Sequence, residues 1–261
     1  MVKGEGKSTV SRRIKIMEML KANGKVDVKE LSDLLGVTGV TIRNDLEQLE
    51  KKNILIRARG GAIRIEQSYS NEDFPLSDKQ KKNFVEKREI GKKAAELISN
   101  NNTIILDSGS TVHQLAKNLR NFEELTVITN ALNVATLLAE FKNINVIVPG
   151  GTLKKNSLSL FGILAEKGFR DYFCDKLFLG VDGFDLDFGI STPSPEEAYL
   201  NQIMIDISKE VIVLADSSKF ERRGFAFIAP VSKINIVITD KGIRPEYKSR
   251  LEATGIKVIV V

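Results

Sequence analysis

The chain has 261 residues, 39 Lys and Arg against 34 Asp and Glu for a net charge of +5, and 42% hydrophobic residues, enough apolar surface for a real core in one large domain or two. Its one cysteine, Cys174, and one histidine, His113, exclude a disulfide framework and a structural Cys/His zinc site; no metal and no cofactor are expected. Residues 1–30 lack a signal-peptide pattern and no segment approaches the ~20 apolar residues of a membrane helix, which predicts a reduced, cytoplasmic protein with no membrane partner.

The charge is unevenly placed. Residues 1–65 hold 14 Lys and Arg and 8 Asp and Glu, a net +6, whereas residues 66–261 net −1. Two domains with different partners are expected, the first of them meeting something anionic.

Val10, Ile14, Met17 and Leu20 recur at helical spacing and predict a first helix that Asn23-Gly24 ends. Asp27 can cap a second helix, with Glu30 able to return the bond and with Val28, Leu31, Leu34 and Leu35 as its buried face; Gly36 stops it. Thr38 is the next cap, and Ile42, Leu46 and Leu49 mark a third helix running to about Lys52. Two short helices about a tight turn are a helix-turn-helix, whose third helix enters the major groove.

With that stripe inward, Thr38, Gly39, Thr41, Arg43, Asn44 and Gln48 fall on the exposed side and its flanks. Arg43 can be bidentate to guanine and Asn44 to adenine. Asp45 flanks the buried stripe and is read as structural, because a carboxylate near phosphates costs affinity. The two apolar runs of residues 54–65, about Gly60-Gly61, predict a hairpin carrying Arg57, Arg59 and Arg64, a basic wing for phosphate or the minor groove.

The segment resembles the winged helix-turn-helix of the DeoR family of bacterial transcriptional regulators. The resemblance rests on Arg12-Arg13-Ile14, residues 24–31 (GKVDVKEL), residues 40–46 (VTIRNDL), Leu49-Glu50 and residues 59–62 (RGGA). Asn44 stands where the commonest family form has a second arginine.

Residues 66–83 are polar and aperiodic and contain Pro75, which predicts an exposed connector between domains at 8–65 and 84–261. Ile90, Ala94, Leu97 and Ile98 then mark a helix. Apolar runs follow at residues 103–106, 126–128, 145–148, 176–181, 211–215, 234–238 and 257–261, separated by amphipathic stretches. Continuous Val/Ile/Leu runs indicate strands buried on both faces, hence an α/β fold with a mainly parallel sheet. Cys174, ahead of one such run, is read as a core thiol rather than a nucleophile paired with His113.

Small, polar and acidic residues collect after these runs: Asp107-Ser108-Gly109-Ser110-Thr111, Thr129-Asn130, Gly150-Gly151, residues 180–183 (GVDG), residues 216–219 (DSSK) and Thr239-Asp240. Carboxyl ends of strands are where open α/β sheets bind ligands. The Ser108–Thr111 loop, opening a helix, offers hydroxyls and free amides in the outline of a phosphate site, although its glycine spacing fits neither a Walker loop nor a dinucleotide fingerprint. Lys219 can supply a cation, with Lys154 and Lys155 as weaker candidates. Asp107, Asn130, Asp182 and Glu197 suit sugar hydroxyls. A small phosphorylated polyol matches this set.

Over residues 8–261 the chain is similar to the DeoR family, through the loops just named together with residues 189–192 (GIST) and 196–198 (EEA), and within it to repressors of amino-sugar catabolism. The resemblance implies a C-terminal sugar-phosphate sensor with a fold similar to ribose-5-phosphate isomerase. In that isomerase the acids matching Asp182 and Glu197 and the lysine matching Lys219 lie at the active site. His113 stands where the family usually has a small hydroxyl residue. The expectation is therefore a repressor that binds double-stranded operator DNA as a homodimer or homotetramer and answers to a sugar phosphate. The alternative is a sugar-phosphate isomerase-like enzyme fused to a DNA-binding module, with Glu197 as general base.

Overall fold

A computed structural model of the chain describes residues 9–23, 25–50, 55–58, 60–64, 69–70 and 74–261. They belong to two units, Met1–Ser68 and Tyr69–Val261.

In the first unit, helix Thr9–Asn23 is followed by strand Lys25–Asp27, helices Val28–Leu35 and Gly39–Glu50, and strands Leu55–Ala58 and Gly61–Arg64. The Asp27 carboxylate accepts the amides of Lys29 and Glu30 and so starts the second helix, while Gly36, at φ 63°, ends it in the left-handed region. Ile16, Leu20, Leu31, Ile42, Leu46, Leu49 and Leu55 form the core.

Two expected faces are corrected. In the first helix Ile16 is fully buried and Ile14 is 47% exposed, because Arg12, Ile16 and Leu20 share one side and both Arg12 and Arg13 are drawn to Asp45. In the second helix Val28, Leu31 and the half-buried Leu35 complete the inward stripe, which leaves Leu34 60% exposed beyond its edge. The wing also has a third strand that the sequence did not disclose. Lys25–Asp27 pairs antiparallel with Gly61–Arg64, which pairs in turn with Leu55–Ala58. A Cβ at Gly61 would stand 2.0 Å from the Val26 carbonyl oxygen, so the close strand approach requires glycine there.

The second unit is built on a seven-stranded sheet of Thr103–Leu106, Leu125–Thr129, Ile144–Ile147, Cys174–Gly180, Ser208–Leu214, Ile236–Thr239 and Lys257–Val260. Every pairing within it is parallel. Its strands are buried on both faces: Ile105, Leu177, Leu179, Val211 and Val213 pack to one side, and Ile104, Leu106, Phe178, Ile212 and Leu214 to the other. This is the physical reason for their unbroken apolar runs. Cys174 is a buried free thiol at the start of its strand, and burial pushes it up to about 11.

Thr103–Leu106 and Cys174–Gly180 lie side by side at the centre. From the first of these the chain steps outward to one edge; from the second it steps outward to the other. Where the direction reverses, loops above the carboxyl ends diverge and leave a crevice. A small antiparallel sheet of Gly183–Asp185, Gly189–Thr192 and Ala226–Ala229 and a hairpin of Thr152–Lys154 with Ser159–Phe161 adjoin it in sequence.

The expected exposed connector is also corrected in its later part. Tyr69–Ser70 pairs with Arg223–Gly224, and Leu76–Lys81 is a helix whose Leu76 is buried and donates its amide to the Asn156 carbonyl at 2.7 Å. Asn83, at φ 52°, donates its side-chain amide to Asp216 at 2.7 Å. Leu76 lies outside the local periodicity, so its burial has no signature in a short polar stretch. Among the described residues, no helix is long and apolar enough to cross a membrane.

Candidate functional site

In the first unit, helix Gly39–Glu50 is sharply divided. Ile42, Asp45, Leu46 and Leu49 are buried, while Arg43, Asn44 and Gln48 are exposed. Thr38 is exposed and its hydroxyl accepts the Thr41 amide at 3.3 Å, which caps the helix; Gly39 and Thr41 are half-buried beside it. Val40, 62% exposed, projects near the same end and was not expected there. Asp45 faces inward and takes the Arg12 and Arg13 guanidiniums, the second at 2.8 Å, so it clamps the first helix to the third. On the wing, Arg57 is exposed and its backbone N–H donates to the Glu50 carboxylate at 3.0 Å. Arg59 and the Arg64 side chain lie outside the described residues.

In the second unit, a cleft of about 650 Å³, open mouth included, sits over the strand reversal. Asp107 to Thr111 leave the end of Thr103–Leu106 and form one wall; Gly180, Val181 and Asp182 leave the end of Cys174–Gly180 and form another. Glu197 enters from the first turn of helix Pro195–Asp206, which Ser194 caps, and Lys219 from the turn after Ser208–Leu214.

The Asp182 carboxylate receives two ammonium groups, Lys79 Nζ at 3.1 Å and Lys219 Nζ at 3.2 Å. Burial alone would raise Asp182, but Lys219 and then Lys79 outweigh it and hold the carboxyl below its usual range. Lys87, also lining the cleft, donates at 2.6 Å to the carbonyls of both Lys79 and Lys82, and desolvation lowers it to about 8 despite Asp216. Elsewhere in the cleft, desolvation raises Asp107 to about 7 even though the Ser108 amide bonds it; nearby Glu197 adds to the rise. Glu197 accepts from Ser157 at 3.0 Å and Thr192 at 3.3 Å and lies 3.3 Å from Lys154 Nζ. Lysines paired with carboxylates, together with hydroxyls, thus share one opening, an arrangement that can hold an anionic polyol.

Asp107, Ser108, Gly109, Ser110, Thr111, Asp182, Glu197 and Lys219 are brought together as lining. Asn130, Gly150 and Gly151 are not. Asn130 is buried and donates its side-chain amide to the Leu160 carbonyl at 3.3 Å, fixing the hairpin. Gly151, at φ 125°, has Phe161 so close that a Cβ would meet its carbonyl oxygen at 2.7 Å, and Gly150 is at φ 88°; both serve the backbone. His113 is outside the lining as well: its Nδ1 accepts the Asn133 amide at 3.0 Å, and burial lowers its pKa. Phe74, Leu76, Lys79, Lys87 and Asn201 line the cleft without having been singled out from the sequence. Thr192, by contrast, lies in the GIST segment that had drawn notice.

The model for the DeoR-like helix-turn-helix domain matches residues 12–68, and that for the DeoR C terminal sensor domain matches residues 82–241. The chain is 39% identical to a putative aga operon transcriptional repressor of Escherichia coli O157:H7, over 97% of this chain and 94% of that one. It is 34% identical to the HTH-type transcriptional repressor GlcR of Bacillus subtilis (strain 168), covering 95% of each. Among solved structures, it is similar to the sorbitol operon regulator SorC of Klebsiella pneumoniae at TM-score 0.41 and 12% identity, covering 94% of this chain and 99% of that one. It is also similar to ribose 5-phosphate isomerase A of Methanocaldococcus jannaschii at TM-score 0.38 and 18% identity, covering 51% and 53%. With a head and a sensor matched by models of one family, and with a relative at 39% identity along nearly its whole length, the chain belongs to the DeoR family.

Proposed function

We propose that the protein is a cytoplasmic repressor of a sugar or amino-sugar catabolic operon that leaves its operator when a sugar phosphate fills the cleft. The carrying observation is the division of helix Gly39–Glu50, whose buried stripe and inward Asp45 leave Arg43, Asn44 and Gln48 facing out. That face reads base edges, with Thr38, Gly39 and Thr41 at its entry, while Arg57, Arg59 and Arg64 on the wing meet phosphates. The names of the aga and GlcR relatives support the repressor reading.

In the cleft, Lys219 with the Ser108–Thr111 loop takes the phosphate, and Asp107, Asp182 and Glu197 take the sugar hydroxyls. Asn130, Gly150 and Gly151 shape the walls behind this set. Binding proceeds without turnover, a reading supported by the regulator names of relatives that match along nearly the whole chain. The ligand loosens DNA only as far as it prefers the released form, and a shift from 1:99 to 99:1 needs roughly a 10⁴-fold preference. The active species is a homodimer or homotetramer on paired half-sites, which light scattering on the full chain checks.

The test is DNA anisotropy with an operator selected from a random duplex pool, against a panel of aldose and ketose phosphates. A sugar phosphate should release wild-type protein and leave Lys219→Gln bound. Release of the variant at the same concentration places the phosphate elsewhere, and steady turnover of any panel member that Glu197→Gln abolishes establishes the isomerase alternative.

A further inference from the structure

Among the described residues lining the cleft, Phe74 is the one aromatic. It is 48% exposed, so its ring stands where the cleft opens to solvent, whereas the other apolar lining, Leu76, Val181, Leu214 and Ala215, is buried. The backbone around it is held. Pro75 confines the residue before it to extended conformations and stands as the cap of helix Leu76–Lys81. Leu76 then donates its amide to the Asn156 carbonyl at 2.7 Å, and the next residue, Ser157, donates its hydroxyl to the Glu197 carboxylate at 3.0 Å. The ring and the Glu197 carboxylate are thus carried on segments bonded to one another. With two side-chain torsions on such a backbone, a phenyl ring loses little freedom when a ligand covers it.

We propose that Phe74 selects the closed form of the sugar, its ring stacking on the C–H face of a cyclic aldose phosphate while the acids and hydroxyls of the cleft take the hydroxyl edge. The inference rests on the reading of the cleft as a sugar-phosphate site and narrows the ligand class from phosphorylated polyols in general to cyclic ones. A pyranose is amphiphilic, with hydroxyls around its edge and axial hydrogens that leave an apolar patch on a face. The cleft offers a match to both parts, with Asp107, Ser110, Thr192 and Glu197 for the edge and Phe74 for the face. An open-chain polyol carries hydroxyls along its whole length and has no such face. Covering Phe74 with it desolvates hydroxyls that gain no partner, which disfavours the open chain.

Full-length protein is titrated by calorimetry with the 6-phosphates of glucose, galactose and mannose, each beside the alditol phosphate made by reducing it, and with inorganic phosphate. The members of a pair share their phosphate and carbon skeleton and differ in ring closure. From the strength of aromatic contacts, the wild type should hold at least one aldose phosphate roughly three- to tenfold more tightly than its alditol. Phe74→Ala should bring that ratio to about one and leave inorganic phosphate unchanged; Phe74→Tyr should keep the ratio, and Phe74→Leu, apolar but not flat, should not. If Phe74→Ala keeps the ratio or weakens aldose and alditol alike, or if the wild type binds phosphate without preferring any ring, the role of Phe74 is refuted and the phosphate site stands. If the wild type binds neither inorganic phosphate nor any member of the panel, the site reading itself fails, and the inference with it.

Discussion

Asp45→Ala is expected to remove most of the stability of the DNA-reading unit while leaving the sensor intact. Asp45 is 2% exposed and its two oxygens take Arg12 and Arg13, whose side chains are 8% and 27% exposed. Removing one member of a buried pair costs ~3–5 kcal/mol, because the partner is left charged without compensation. Arg13 can turn to water, but Arg12 lies one turn before the fully buried Ile16 and cannot do so without lifting the helix. About 3 kcal/mol is therefore expected, near the low end of that range. A unit of fewer than 70 residues has only ~3–5 kcal/mol in all, so the loss is nearly the whole. Urea titration read by hydrogen exchange separates the units, since peptides from helices Thr9–Asn23 and Gly39–Glu50 report one and the strands of the parallel sheet the other. Arg12→Met with Asp45→Leu should recover a good part of the stability, since an apolar pair of similar size needs no counter-charge. A shift below ~0.5 kcal/mol for Asp45→Ala, of the size typical of a surface site, would refute the clamp.

Arg43→Ala should cost ~1–3 kcal/mol on the selected operator and blur its base preference, as measured by anisotropy on single-base variants. Arg57→Ala should instead weaken all duplexes alike and reduce the salt slope by about 0.9; full affinity in both variants would displace the assigned helix and wing. Burial raises Asp107 from 3.8 to about 7, so the folded sensor keeps a proton that the unfolded chain has released. The stabilisation is full below pH 3.8 and is lost as pH rises through about 7, so the sensor's thermal midpoint should fall over that window more steeply in wild type than in Asp107→Asn. Equal slopes would exclude a protonated Asp107.

What the sequence disclosed follows from how local each signal is. The strand runs at 103–106, 176–181 and 211–215 were plain because burial on both faces leaves no polar position to interrupt them. Ile42, Leu46 and Leu49 were plain because one helix turn brings them together. Strand Lys25–Asp27 was hidden, since three residues between a glycine and a helix cap have no periodicity; only the Gly61 approach to Val26 betrays it. The inward face of the first helix has no local signature, because Arg12 is buried on it against an acid 33 residues away. In the cleft, Asp107, Asp182 and Lys219 sit at strand ends, where chemistry is visible in the loop. Lys79 and Lys87 reach it through tertiary folding of a polar stretch, and nothing around them in the chain distinguishes them from solvated lysines.

The division of helix Gly39–Glu50 also bears on how this kind of protein diversifies. Its fold depends on Ile42, Asp45, Leu46 and Leu49, whereas Arg43, Asn44 and Gln48 contribute almost nothing to packing. Substitutions at the second set escape the stability threshold that constrains the first, so a duplicated copy can drift to a new operator without passing through an unfolded intermediate. The inheritance of the scaffold and the inheritance of the address are carried by interleaved residues of the same three turns, each nearly blind to the other.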